Sequence, residues 1–124
     1  MSYRNLEIWK IADKLALEIH SMTLKDLPGF EMYETGSQIR RSSKSAKSNI
    51  AEGYGRRSHL KEYIRFLIMA QGSVDETLDH LETLYKTKSL KDKTIYESLH
   101  ELNDKLGRKL NRYIQAIKRN NPGM

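Results

Sequence analysis

HLKEYIRFLIMAQGSVDETLDHLETLYK, residues 59–86, is the stretch that decides the fold. Leu60, Tyr63, Leu67, Ala70, Val74, Leu78, Leu81 and Tyr85 recur at steps of three and four, the spacing that places side chains on one face of an α-helix. At about 1.5 Å per residue the segment reaches roughly 42 Å. Its first half carries more apolar surface than one stripe uses, with Ile64 and Ile68 on one flank and Phe66 and Met69 on the other. A helix apolar nearly all round is buried nearly all round. Neighbours within so small a chain can hardly cover every side, so Ile64, Phe66, Ile68 and Met69 are expected at a subunit interface. Ser58 stands in the N-cap position ahead of the helix.

Three more helices flank this one. Residues 6–24 carry Ile8, Ile11, Ala12, Leu15, Ala16, Ile19 and Met22 in a single stripe, with Asn5 as N-cap and Pro28-Gly29 in the following connection. In residues 34–55, Ser43, Ala46, Ile50 and Gly53 fall within roughly 40° of Ile39, whereas Arg40, Arg41, Lys44 and Lys47 lie between about 80° and 200° from it. One side of that helix is small and apolar and the other basic. Gly53 and Gly55 fit its C-terminus. The last helix, 92–119, has a near-heptad seam of Ile95, Leu99, Leu102, Leu106, Leu110, Tyr113 and Ile117, with Ser89 and Asp92 in a capping-box pattern. Short links between long amphipathic helices favour antiparallel neighbours. The expectation is one all-α domain over residues 1–124, an antiparallel up-down-up-down four-helix bundle.

Composition narrows the function. Two prolines and seven glycines are too few for an all-β chain, and the absence of cysteine excludes disulfides, thiolate metal sites and cysteine nucleophiles. No apolar run approaches the ~20 residues of a membrane span and the N-terminus lacks a signal-peptide core, so a cytoplasmic protein is expected. The net charge of +6 is local. Arg40, Arg41, Lys44, Lys47, Arg56, Arg57, Lys61 and Arg65 share a 26-residue window with only Glu52 and Glu62, which accounts for the whole imbalance. Such a concentration sets up a positive field that attracts polyanions.

Catalytic chemistry finds no support in the residue pattern. A di-iron bundle needs two Glu-x-x-His motifs, and only Glu97 to His100 occurs, directed away from the Leu99 seam. His20, His59, His80 and His100 share no i, i+4 face. Ser42, Ser43, Ser45 and Ser48 lie in no nucleophile-elbow pattern, and Gly53-Tyr54-Gly55 lacks the Gly-Lys-Ser/Thr of a phosphate loop. Glu52 and Glu62 have no predicted cleft between them. No enzyme activity, metal or cofactor is expected.

The segment SQIRRSSKSAKSNIAEGYGRR, residues 37–57, resembles the signature of the four-helix-bundle proteins encoded in intervening sequences of bacterial 23S rRNA genes, a family that extends to the accessory variability proteins of diversity-generating retroelements. Ser37, Gln38, Ile39, Arg40, Arg41, Asn49, Ile50, Ala51, Glu52, Gly53 and Arg56 carry the match, joined by EYIRFLIMAQGSVDE at 62–76 and LEIWKIA at 6–12. The resemblance implies an antiparallel bundle assembled as a homopentamer with a basic surface, and binding to nucleic acid or a reverse-transcriptase complex rather than turnover. The family pattern has aliphatic residues near 44 and 46 and a proline near 47. Here Lys44, Ala46 and Lys47 stand at those positions, which enlarges the basic face and leaves the second helix straight.

The expected function is therefore a non-catalytic, oligomeric nucleic-acid-binding protein, RNA being the favoured partner. It contacts phosphates through Arg40, Arg41, Lys44, Lys47, Arg56, Arg57, Lys61 and Arg65 and reads few bases. Asn49 and Glu52 are expected to bond Arg56 or Arg65 across a subunit interface, Trp9 to pack in the core, and Tyr54 to be a weaker stacking candidate at the basic corner. The competing reading is an adaptor whose basic face docks an acidic partner or a nucleic-acid enzyme.

Overall fold

The computed structural model describes residues 2–124. Helix α1 spans Glu7–Lys25, α2 Thr35–Tyr54, α3 Leu60–Lys86 and α4 Lys93–Asn120, with short 3-10 segments at Tyr3–Asn5 and Gly29–Tyr33. No strand occurs among the described residues. Each helix touches its neighbours in a ring, α1 with α2, α2 with α3, α3 with α4 and α4 with α1. Direction follows from the pairings. Ser42 meets Thr77 and Ser45 meets Ser73, while Gly53 abuts Tyr63 and Phe66, so α2 and α3 run antiparallel. Tyr63 bonds Tyr113 and Tyr85 stacks on Tyr96, which sets α4 antiparallel to α3.

The core is a set of heptad seams. In α3 the buried series Tyr63, Leu67, Ala70, Val74, Thr77, Leu81 and Leu84 alternates steps of four and three, and α2 does the same with Ile39, Ser43, Ala46, Ile50 and Gly53. A repeat of 3.5 residues keeps a seam on the partner helix along its whole length. This shifts the expected stripe. Thr77 and Leu84 occupy the core where Leu78 and Tyr85 were expected, and Asn103 lies inside where Leu102 was expected. Ile64 is buried too, packed into its own bundle and withdrawn from any subunit face.

Gly55 stands at the C-cap of α2 as expected, whereas the expected N-caps differ. Asn5 belongs to the first 3-10 segment, and Leu6, which has no capping oxygen, precedes α1. Ser58 pairs with the His59 ring, and α3 starts without a side-chain cap. Asp92 does cap α4 by accepting from the Ile95 N–H at 3.1 Å, but Ser89 turns inward and donates to Glu31 Oε2 at 2.6 Å. The Glu31 carboxylate is buried and also accepts from the Gly36 N–H, so it holds the start of α2 to the α3–α4 turn. Gly53 serves close approach rather than a left-handed cap: a Cβ there would stand 2.9 Å from Phe66 Cβ, and no glycine has positive φ. Without a proline at 47, α2 is continuous. Among the described residues no helix is long and apolar enough to cross a membrane.

Candidate nucleic-acid interface

The direction in which the α2 cations point is set by what the opposite side of α2 packs against. Ser42, Ser43, Ala46 and Gly53 are small enough to bring the α2 backbone close to α3. Thr77 gives its hydroxyl proton to the Ser73 carbonyl, leaving its oxygen to accept from Ser42 at 2.8 Å, and Ser73 donates to Ser45 at 3.0 Å. Buried hydroxyl pairs of this kind fix the rotation of α2 about its axis, because a slip would leave them unsatisfied. Arg41 and Lys44 are thereby held outward, one turn apart on the exposed face.

The eight cations fall into distinct environments. Three are paired with carboxylates: Lys47 with Asp13 at 2.8 Å, Arg56 with Glu52 at 2.9 Å, and Arg65 with Glu62 at 2.9 Å. The Arg65 guanidinium, bonding through two nitrogens, holds the Glu62 carboxyl below the ordinary glutamate range. Both acidic residues of the window are thus engaged within the chain at i, i+4 and i, i+3 spacing, Glu52 bonding Arg56 in the turn that follows α2. Asn49 donates to the Ser45 carbonyl and reaches neither arginine.

The other five have no carboxylate partner among the described residues. Arg40 is half-buried and donates to the Met32 carbonyl at 2.7 Å, clamping α2 to the Gly29–Tyr33 segment. Arg41 donates to Ser37 Oγ at 3.3 Å. Arg57 lies 4.0 Å over the Tyr54 ring and donates to the Tyr54 carbonyl. Lys44 and Lys61 are exposed. The free cations therefore form two sets, Arg41 with Lys44 on the shaft of α2, and Arg57 with Lys61 at the corner where α3 begins uncapped. The ten residues from Lys44 to Tyr54 separate them by roughly 15 Å.

Several aromatic and apolar residues are placed differently from expectation. Tyr54 is buried edge-on against Tyr63 at 6.3 Å and offers no stacking surface. Phe66 is half-buried between the guanidinium groups of Arg56 and Arg65, at 4.8 and 4.7 Å. Met69 is exposed beside it, and Ile68 is exposed on the opposite flank of α3. Trp9 packs against the core and meets Tyr3 edge-on at 5.3 Å. Among the described residues no three histidine or carboxylate side chains converge on a metal-sized site.

The model of the 23S rRNA-intervening sequence protein family matches residues 4–112. The chain belongs to this family. Its match takes in α1, α2, α3 and most of α4, so every cation of the candidate interface lies within the 23S rRNA-intervening sequence protein region. Among solved structures, a protein of unknown function from the S23 ribosomal protein family of Bacteroides thetaiotaomicron VPI-5482 aligns at a TM-score of 0.78 with 23% identity, covering 86% of this chain and 97% of that one. At that identity the likeness is one of fold. No curated protein matches the sequence.

Two residues of the 23S rRNA-intervening sequence protein surface escape the sequence reading. Phe30 and Tyr33 are 58% and 88% exposed on the 3-10 segment that Arg40 clamps to α2. Their signal in the sequence is slight: two aromatic residues in a polar connection that no helical stripe requires.

Proposed function

We propose that this chain is a non-catalytic RNA-binding bundle that holds phosphate backbone against α2 and the α2–α3 corner. The observation that carries the reading is the state of the cations: both acidic residues of the window are consumed by Arg56 and Arg65, and Arg41, Lys44, Arg57 and Lys61 stay exposed without a carboxylate. Charge of one sign on a rigid helical surface acts on phosphates irrespective of sequence. RNA is the partner this reading favours; the family description refers to the intervening sequence and names no ligand. The resemblance further implies a homopentamer, and the exposed Ile68 and Met69, one on either flank of α3, supply apolar surface for self-association. Repeating four cations around a ring turns a weak contact into avidity.

The test is a titration of RNA binding against salt, on protein whose mass is read by light scattering. Four phosphates per chain give a slope of log K against log salt of about −3 for single strands and −4 for duplexes, multiplied by the number of subunits engaged. A slope near zero, or no binding at about 50 mM salt, rejects the reading. The rival is an adaptor for a nucleic-acid enzyme, and capture of an acidic protein that survives nuclease treatment while RNA binding is absent would establish it.

A further inference from the structure

Phe30 and Tyr33 sit on the five-residue 3-10 segment Gly29–Tyr33, three positions apart. In a 3-10 helix, residues i and i+3 eclipse one another, and three steps of about 2.0 Å set them roughly 6 Å apart. Neither ring packs against another aromatic among the described residues. The segment itself is firmly held. Arg40 grips its Met32 carbonyl at 2.7 Å, and its one inward side chain, Glu31, is bonded to the Gly36 N–H and Ser89. Two large aromatic faces are therefore held open to water on a rigid support, where a partner can reach them.

What covers them is indicated by charge. Tyr33 lies one residue, Glu34, ahead of α2, and Ser37, Arg41 and Lys44 climb one side of that helix. Between Tyr33 and Lys47 the sequence holds four cations and a single acidic residue, Glu34. An aromatic pair at the foot of a cationic track suits a ligand that alternates flat apolar groups with anions along one chain. Bases stacked in a duplex have no free face to offer, whereas unpaired bases do. We infer that Phe30 and Tyr33 are a stacking platform for unpaired bases, and that the RNA taken by this surface is single-stranded, entering at the 3-10 segment and running up α2 past Arg41 and Lys44. This inference rests on the RNA-binding reading above and adds the strandedness of the ligand and its path along the protein.

The experiment measures binding of a labelled single-stranded RNA 20-mer and of the matching duplex to the full chain, for the wild type, Phe30→Ala, Tyr33→Ala and Tyr33→Trp. Each alanine variant is expected to lose roughly ten-fold in affinity for the single strand, with the salt slope and duplex affinity unchanged and Tyr33→Trp near wild type. Both residues are exposed, so circular dichroism is expected to show unaltered folding. Wild-type affinity of both alanine variants, with the salt slope intact, overturns the platform and leaves the RNA-binding reading standing. A lighter oligomer for the alanine variants overturns it in favour of a subunit contact. Failure of the wild type to bind either RNA removes the RNA-binding reading itself, and the platform with it.

Discussion

At the C-terminal end of α2, Arg56 lies one turn from Glu52, Arg65 lies one turn from Glu62, and the two guanidinium groups close over Phe66. At its N-terminal end, Arg41 and Lys44 have no carboxylate partner, and Phe30 and Tyr33, on the segment ahead of α2, stand open to water. The two ends have similar densities of positive charge in the sequence. They differ in what surrounds it: near one end Arg56 and Arg65 are neutralised by acids at helical spacing, leaving only Arg57 and Lys61 free, and near the other serines at Ser37, Ser45 and Ser48 stand where acids would pair with Arg41 and Lys44. A local count of charges therefore measures supply, and the i, i+3 and i, i+4 partners determine how much of it is free to meet a ligand.

The largest effect that would sharpen this contrast lies in the backbone contacts of the two ends. A Cβ on Gly36 would stand 2.4 Å from the Glu31 carbonyl oxygen, a main-chain atom held by its own segment, whereas one on Gly53 would meet Phe66 Cβ at 2.9 Å. Gly36→Ala is expected to cost about 3 kcal/mol in chemical denaturation and Gly53→Ala about 1–2 kcal/mol. Gly36→Ala should also weaken RNA binding by displacing the segment that bears Tyr33. Equal stability of Gly36→Ala and the wild type would show that the segment is not pinned there.

A second, smaller effect separates free from neutralised charge. Arg41→Gln combined with Lys44→Gln is expected to reduce the salt slope of RNA binding by about 1.5, two phosphate contacts at the per-phosphate values. Glu52→Gln combined with Arg56→Gln, which removes an ion pair without altering net charge, is expected to leave the slope unchanged. Matching losses from the two double variants would erase the distinction between the ends.

The smallest effect concerns pH. Arg65 depresses the Glu62 carboxyl in the folded state, so its contribution to stability is present above the ordinary glutamate value of 4.5 and is lost as pH falls through the lower folded value. The pair is exposed and screened by salt. Thermal melts of Glu62→Gln and wild type should differ slightly at neutral pH and low salt, and converge on acidification below 4.5. A gap that persists in acid would assign Glu62 a role apart from its charge.

The sequence by itself determined the four helices and their antiparallel order, because helical periodicity is a property of local geometry and short connections leave few ways to pack. It also located the net charge, which is simple counting. The choice between neighbours within a helix was decided by tertiary structure. Thr77 over Leu78, Leu84 over Tyr85 and Asn103 over Leu102 differ by about one residue's rotation, and only the position of the facing helix selects among them. The same holds for the candidate site. Lys47 is matched by Asp13, thirty-four residues away, and Ile64 is covered by the chain's own helices. Phe30 and Tyr33 acquire their exposure from a segment held by two separate contacts, Arg40 on the Met32 carbonyl and Ser89, fifty-eight residues on, bonded to Glu31.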